Sequence, residues 1–219
     1  MPMTDLQYRD SRVFCQQRQI GGGRGCAVKE VLFKYMARYT SMSEEEQRAI
    51  AEEIVVETYP KGTVLLRQGE TPTKCYFVLQ GCVRQYAVDE SGKEVTSEFY
   101  TEEQAISMFQ SRQSDRASDY SYACLEDAAL VVGDLAVEQS MYDKHAQLGL
   151  MTRKMIEASF GRMQEDFADF IAASPEERYK TLLRKRPQLI DRVPQHQLAS
   201  YLGMTPESLS RIKKRISHP

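Results

Sequence analysis

The period of the apolar positions changes twice along the chain. Between residues 29 and 39, Val31, Leu32, Tyr35, Met36 and Tyr39 recur at helical spacing. Ser43 followed by Glu46 is a capping box and opens a second helix, which runs to about Ile54. At Tyr59 the pattern becomes strand-like. Short β-rich runs at 63–67, 75–79, 82–88 and 94–100 alternate with turns at Pro60-Lys61-Gly62, Gln68-Gly69-Glu70, Gln80-Gly81 and Ser91-Gly92. Two more runs lie at 120–123 and 128–132. Several short strands at such spacing predict a sandwich or barrel, so the fold class is α+β.

From Val137 to Ala173 there is no proline, and apolar residues recur every three or four positions. Leu148, Met151 and Met155 form one series; Ile156, Phe160, Met163, Phe167 and Phe170 form another, displaced by one residue. The later spacing is that of a coiled-coil seam, on a helix roughly 50 Å long. Leu148, Met151, Met155, Ile156, Phe160, Met163 and Phe167 are therefore candidates for contact with a second copy. Packing of this helix on its own barrel is the plainer alternative. Ser174 then caps a shorter helix that begins at Pro175, with Tyr179, Leu182 and Leu183 on its buried side.

The last stretch, VPQHQLASYLGMTPESLSRIKKRI, carries the most specific pattern. Pro194 suits a first helical turn, Leu198 and Leu202 share a face, and Gly203 ends the helix. Thr205 N-caps a second helix, with Pro206 first and Glu207 at its positive end. Leu209 and Ile212 supply the buried side; Arg211, Lys213, Lys214 and Arg215 load the rest with positive charge. With small Ala199 at the crossing, this is a helix-turn-helix whose second helix is the candidate reader of a DNA major groove. A helical hairpin with a solvated basic face is the bland alternative.

Charge sharpens that reading. The 219-residue chain has a net charge of −2, yet residues 171–219 hold ten Lys/Arg against four Asp/Glu, and residues 1–170 hold 19 against 27. A basic terminal segment on an acidic body suits phosphate neutralisation. Gly21, Gly22, Gly23 and Gly25 argue against regular structure over residues 1–28, read as a flexible extension. No run of eighteen apolar residues and no signal-peptide core occur, so no membrane partner is expected and the location is cytoplasmic. Cys15, Cys26, Cys75, Cys82 and Cys124 are scattered, odd in number and without a CxxC, against a disulfide framework or a zinc site.

A β-domain, a long helix and a terminal helix-turn-helix, with Gly62, Gly69-Glu70, Gly81 and Gly92 spaced between strands, resemble the Crp/Fnr family of bacterial transcription regulators. The resemblance covers roughly residues 29–216. It implies a jelly-roll-like β-barrel of the cyclic-nucleotide-binding type at 29–136, a long dimerisation helix at 137–173, and a C-terminal all-α helix-turn-helix domain at 174–219. It further implies a homodimer on an inverted-repeat site in double-stranded DNA, with RNA polymerase and an unknown small-molecule effector as candidate partners. The family's base-reading Glu and Arg fall on Glu207 and Arg211, where Glu accepts from cytosine and Arg donates to guanine. Ser208 and Lys213 are placed at phosphates, and Thr205, Lys214 and Arg215 complete the DNA-binding set. The alternative role for Glu207 is to complement the helix dipole.

Three departures modify the expectation. The cassette region, about 102–122, contains no glycine to expose phosphate-binding amides, which argues against cyclic AMP; Arg112 and Arg116 remain candidates to meet an anionic effector. The chain stops three residues after Ile216, leaving no room for a full wing, so phosphate contacts fall to Lys213, Lys214, Arg215 and the Arg184-Lys185-Arg186 run. Pro206 replaces another polar base-reading residue. Cys15 and Cys26 are too few for an iron-sulfur cluster, and Cys75 lacks a nearby histidine for haem. His145, His196 and His218 all lie outside the β region, against a metallo-cupin. No metal, cofactor or catalytic constellation is expected, and the chain is read as no enzyme. The rival function is a β-roll that binds a small molecule or protein without operator binding.

Overall fold

The computed structural model describes residues 24–106 and 116–217. Helix α1 (Arg24–Tyr39) and helix α2 (Glu44–Glu53) precede two four-stranded antiparallel sheets. The strands are β1 (Val55–Tyr59), β2 (Val64–Leu66), β3 (Lys74–Gln80), β4 (Val83–Val88), β5 (Glu94–Tyr100), β6 (Ala105–Ile106), β7 (Ser121–Cys124) and β8 (Ala128–Asp134). They are ordered β1-β8-β3-β6 and β2-β7-β4-β5. The two sheets close face to face over an interior of Leu66, Tyr76, Val78, Val83, Ile106, Tyr122, Cys124 and Leu130, the jelly-roll arrangement expected. Helix α1 begins four residues before the extension was expected to end, and Gly25 lies inside it. The remaining residues 1–23 are outside the described part.

Side-chain alternation explains why β3 and β8 are nearly continuous apolar runs. Tyr76 and Val78 of β3, with Ala128 and Leu130 of β8, point into the roll. Phe77, Leu79, Ala129 and Val131 face the other way, against α1 and α2. Tyr35 of α1 meets Phe77 edge-on with ring centroids 4.6 Å apart. The capping box at Ser43 is present: its amide donates to Glu46 Oε2 at 2.8 Å, and its hydroxyl accepts from the Glu46 amide at 3.3 Å. Strand β1 went unrecognised in the sequence because Val55, Val56 and Tyr59 continue directly from a helix with no turn residue between them.

The long helix is two helices, α3 (Glu138–Lys144) and α4 (Ala146–Ala172). The break falls at His145, with φ −125° and ψ 78°. Neither proline nor glycine marks it. The corner is instead held from α2, where the Glu53 carboxylate accepts from Lys144 Nζ at 2.7 Å and lies 3.2 Å from His145 Nε2. Four further helices follow: α5 (Pro175–Lys185), α6 (Leu189–Arg192), α7 (Gln195–Tyr201) and α8 (Pro206–Ser217). Ser174 caps α5 through a second capping box with Glu177.

Gly81 turns β3 into β4 at φ +107°, where a side chain would place Cβ 2.8 Å from Ala128. Both the backbone and the space require glycine. Gly81→Ala is expected to cost at least about 2 kcal/mol in equilibrium urea unfolding; an unchanged midpoint would show that the turn relaxes freely.

Candidate nucleic-acid interface

Helices α7 and α8 are joined by a turn in which Gly203 adopts φ +67°. Its amide donates to the Ser200 carbonyl at 3.0 Å, and the Met204 amide to that of Ala199 at 3.0 Å. A Cβ on Gly203 would lie 3.0 Å from Arg178 Nη1. Arg178 explains the close approach. From α5 it stacks 3.9 Å over the Phe170 ring, donates to the Phe170 carbonyl at 3.0 Å, and donates to the Leu202 carbonyl at 3.3 Å. One guanidinium thus ties the end of α4 to the helix-turn-helix corner. Leu198, Ala199, Leu202, Leu209 and Ile212 are buried with Tyr179, Leu182, Leu189 and Val193, a core for the helical unit.

That core decides which face of α8 is left outside. The Thr205 hydroxyl accepts from the Ser208 amide at 3.2 Å, the N-cap expected. Glu207 and Arg211 are both exposed and four residues apart, on the face opposite Leu209 and Ile212. Hydrogen bonds from the backbone at the helix start and from Thr205, together with Arg211, hold the Glu207 carboxyl below the usual carboxylate range. Arg211 leans 3.4 Å from the Ser208 hydroxyl. Lys213 is half-buried and Lys214 exposed, and neither is ion-paired among the described residues.

Three basic groups expected at phosphates are engaged within the chain. Arg215 pairs with Glu176 of α5. Lys185 pairs with Asp166 at 2.6 Å and Asp169 at 3.2 Å on α4. Arg186 turns inward, donating to Glu98 at 2.6 Å and to the Phe99 carbonyl. Arg184 alone of that run is exposed and outside these pairs. Charge counting could not distinguish these groups, because their partners are 16 to 88 residues distant in sequence.

The apolar seam on α4 divides in two. Met151 is buried, and Leu148 and Met155 pack against the same cluster of α1, α2 and β-strand residues. This series therefore covers the chain's own core. Ile156 is half-buried. Phe160, Met163 and Phe167 are 55%, 61% and 65% exposed, continued by Ile171 at 64%. Ile171 was not among the expected contacts, although its place four residues after Phe167 carries the helical signal.

Inside the roll the space is taken by tyrosines. Tyr59 and Tyr76 meet edge-on at 6.3 Å, and Tyr100 tilts against Tyr122 at 6.4 Å. Burial pushes the Tyr76 and Tyr122 hydroxyls up to about 12. Of the two arginines expected near an effector, Arg116 pairs locally with Asp119 at 3.0 Å, and Arg112 lies outside the described residues. Among the described residues no group of three or more His, Cys, Asp or Glu is placed to hold a metal, and no helix is long and apolar enough to cross a membrane.

The helical unit rests on the roll. The Arg192 fork donates to both Glu102 oxygens at 2.8 Å, and Arg192 also donates to Glu126. The Ser200 hydroxyl of α7 accepts from the Thr96 amide of edge strand β5 at 3.0 Å. Burial alone would raise the Glu102 carboxyl, but Arg192 and the Gly81 amide outweigh it and hold it below the usual range. Its contribution is full above the unfolded value, about pH 4, and is lost as pH falls through the lower folded value. The wild-type urea midpoint should therefore fall more steeply below pH 4 than that of Glu102→Gln. Parallel acid curves would remove Glu102 as a source of the pH dependence.

A family model described as "Cyclic nucleotide-binding domain" matches residues 56–134, the span of the roll. No curated protein sequence matches the chain significantly. Among solved structures, FixK2 from Bradyrhizobium japonicum is 17% identical over 75% of this chain and 84% of its own, with a TM-score of 0.61. The c-di-GMP responsive global regulator CLP of Xanthomonas campestris is 16% identical over 80% and 92%, also at 0.61. The catabolite activator protein of Thermus thermophilus is 19% identical over 82% and 85%, at 0.50. At these identities the matches establish a shared fold.

Proposed function

We propose that this protein is a dimeric, sequence-specific DNA-binding transcription regulator of the Crp/Fnr type. The observation that carries the reading is the exposed pair Glu207 and Arg211, four apart on a capped helix whose opposite side is buried by Leu209 and Ile212. Such a helix enters a major groove with its N-terminal residues on base edges. Arg211 donates to a guanine and Glu207 accepts from a cytosine. Thr205 and Ser208 lie at the helix N-terminus, and with Lys213 and Lys214 they serve the phosphates. Arg215 joins them by exchanging Glu176 for phosphate. The fold shared with FixK2, CLP and the Thermus catabolite activator protein supports this class.

The functional units follow from the same reading: a roll over 29–136, a pairing segment over 137–173 that holds α3 and α4, and a DNA-binding unit over 174–219. Phe160, Met163, Phe167 and Ile171 form the face for the second copy, since an exposed apolar stripe of that length on one helix calls for a partner. The tyrosine-filled interior and the absence of glycine in the cassette region support a roll that does not respond to cyclic AMP.

Arg211→Ala should weaken binding to the preferred site by about 1–3 kcal/mol and relax preference at one base position. Lys214→Ala should weaken all sequences alike and lower the salt slope by about 1. Quantitative binding to a panel of single-base variants separates the two; uniform weakening by Arg211→Ala would remove it as a base reader. In sedimentation, Met163→Asp with Phe167→Asp should convert dimer to monomer. A variant that still sediments as a dimer would place the subunit contact elsewhere.

A further inference from the structure

The contact between the helical unit and the roll has an unusual composition. Among the described residues, the roll supplies only Cys82, Phe99 and the partly buried Leu125 to the apolar cluster that it shares with α5–α8. The remainder is polar: Arg192 on Glu102 and Glu126, Arg186 on Glu98 and the Phe99 carbonyl, and Ser200 on the Thr96 amide. A small apolar patch bordered by ion pairs resembles interfaces that open, rather than a continuous core. Its polar members are not surface decoration. Arg186 is half-buried, Thr96 is buried, and Arg192 presents a two-pronged fork to one carboxylate while touching a second. Leu189, fully buried one turn before Arg192, fixes the short helix α6 that aims it.

Position gives this contact a consequence. Glu102 also accepts the Gly81 amide at 2.9 Å and stands at the first residue of the 102–122 region expected to hold the cassette. With the contact in place, Glu207 and Arg211 of α8 are exposed. Cys82 lies beneath, fully buried, with Arg192, Arg186, Glu126 and Glu102 as its charged neighbours.

We propose that Arg186 and Arg192 form a breakable latch by which the roll sets the orientation of the helix-turn-helix, with Cys82 sealed under it. Opening the latch frees the helical unit from β5 without unfolding the roll, and so uncovers Cys82 while Cys124, in the roll interior, stays protected. The consequence for DNA rests on the regulator reading: a freed unit loses the preset spacing between two recognition helices and binds an inverted repeat more weakly. The latch itself does not depend on that reading.

Alkylation of the full chain by iodoacetamide, quantified peptide by peptide by mass spectrometry, tests it without DNA. The double variant Arg186→Met/Arg192→Met should alkylate Cys82 at least tenfold faster than wild type, with Cys124 unchanged. Arg192→Lys should fall between, because an ammonium cannot replace the two-pronged fork. In wild type, Cys82 should become reactive at lower urea than Cys124, a measurement that stands even where the double variant does not fold. Equal protection of Cys82 in wild type and a folded double variant overturns the latch. Simultaneous exposure of both thiols across the wild-type urea series overturns it as well. A chain that fails to select DNA but shows staged exposure keeps the latch and loses the regulator.

Discussion

Phe99 is the side chain on which the two halves of the molecule depend. It sits on edge strand β5 and points out of the roll, where an aromatic ring would ordinarily face water, yet it is fully buried. Tyr201 of α7 meets it edge-on at 5.2 Å, and its carbonyl accepts from Arg186. Covering an edge strand with a helix also removes a surface that invites pairing with other chains. The arrangement is reciprocal. The helical unit needs a support to hold α8 outward, and the roll needs a cover for Phe99 and Cys82.

From there the structure divides its apolar faces among three tasks. The roll closes on its own tyrosines, and the outer face of its first sheet is covered by α1, α2 and the start of α4. The second half of α4 is left with an apolar stripe that no described part of the chain covers. The helix-turn-helix core is finished by α5 and α6, and Arg178 locks its corner to the end of α4. In the proposed function the uncovered stripe takes a second copy, and with a held corner and an exposed recognition helix it supplies the parts that a two-fold reader of DNA requires.

Local chemistry made much of this legible. Ser43 with Glu46, Ser174 with Glu177, and Thr205 before Pro206 announce helix starts that the structure contains, because a cap depends on neighbours three residues away. The glycines at 62, 69, 81, 92 and 203 all adopt positive φ, since turns of that shape admit little else. Non-local contacts were not legible. The break at His145 depends on Glu53, ninety-two residues earlier, and the inward turn of Arg186 depends on Glu98. Helical periodicity showed that Leu148, Met151 and Met155 are apolar on one side, but not that the chain's own core would occupy that side. A basic residue likewise looks the same in sequence whether it awaits a phosphate, as Lys214 does in the proposed function, or is held by Asp166, as Lys185 is.

The claim at the centre is that α8 reads sequence as one of a pair. Selection of the protein against a random duplex-DNA pool at physiological salt, with sequencing of the bound fraction, tests it most directly. The expected result is an enriched inverted repeat with half-sites about 10 base pairs apart, the separation of two recognition helices on one face of the duplex. Enrichment of no sequence over the input pool, from protein shown to be folded, would contradict it and leave a β-roll that binds a small molecule or protein without reading DNA.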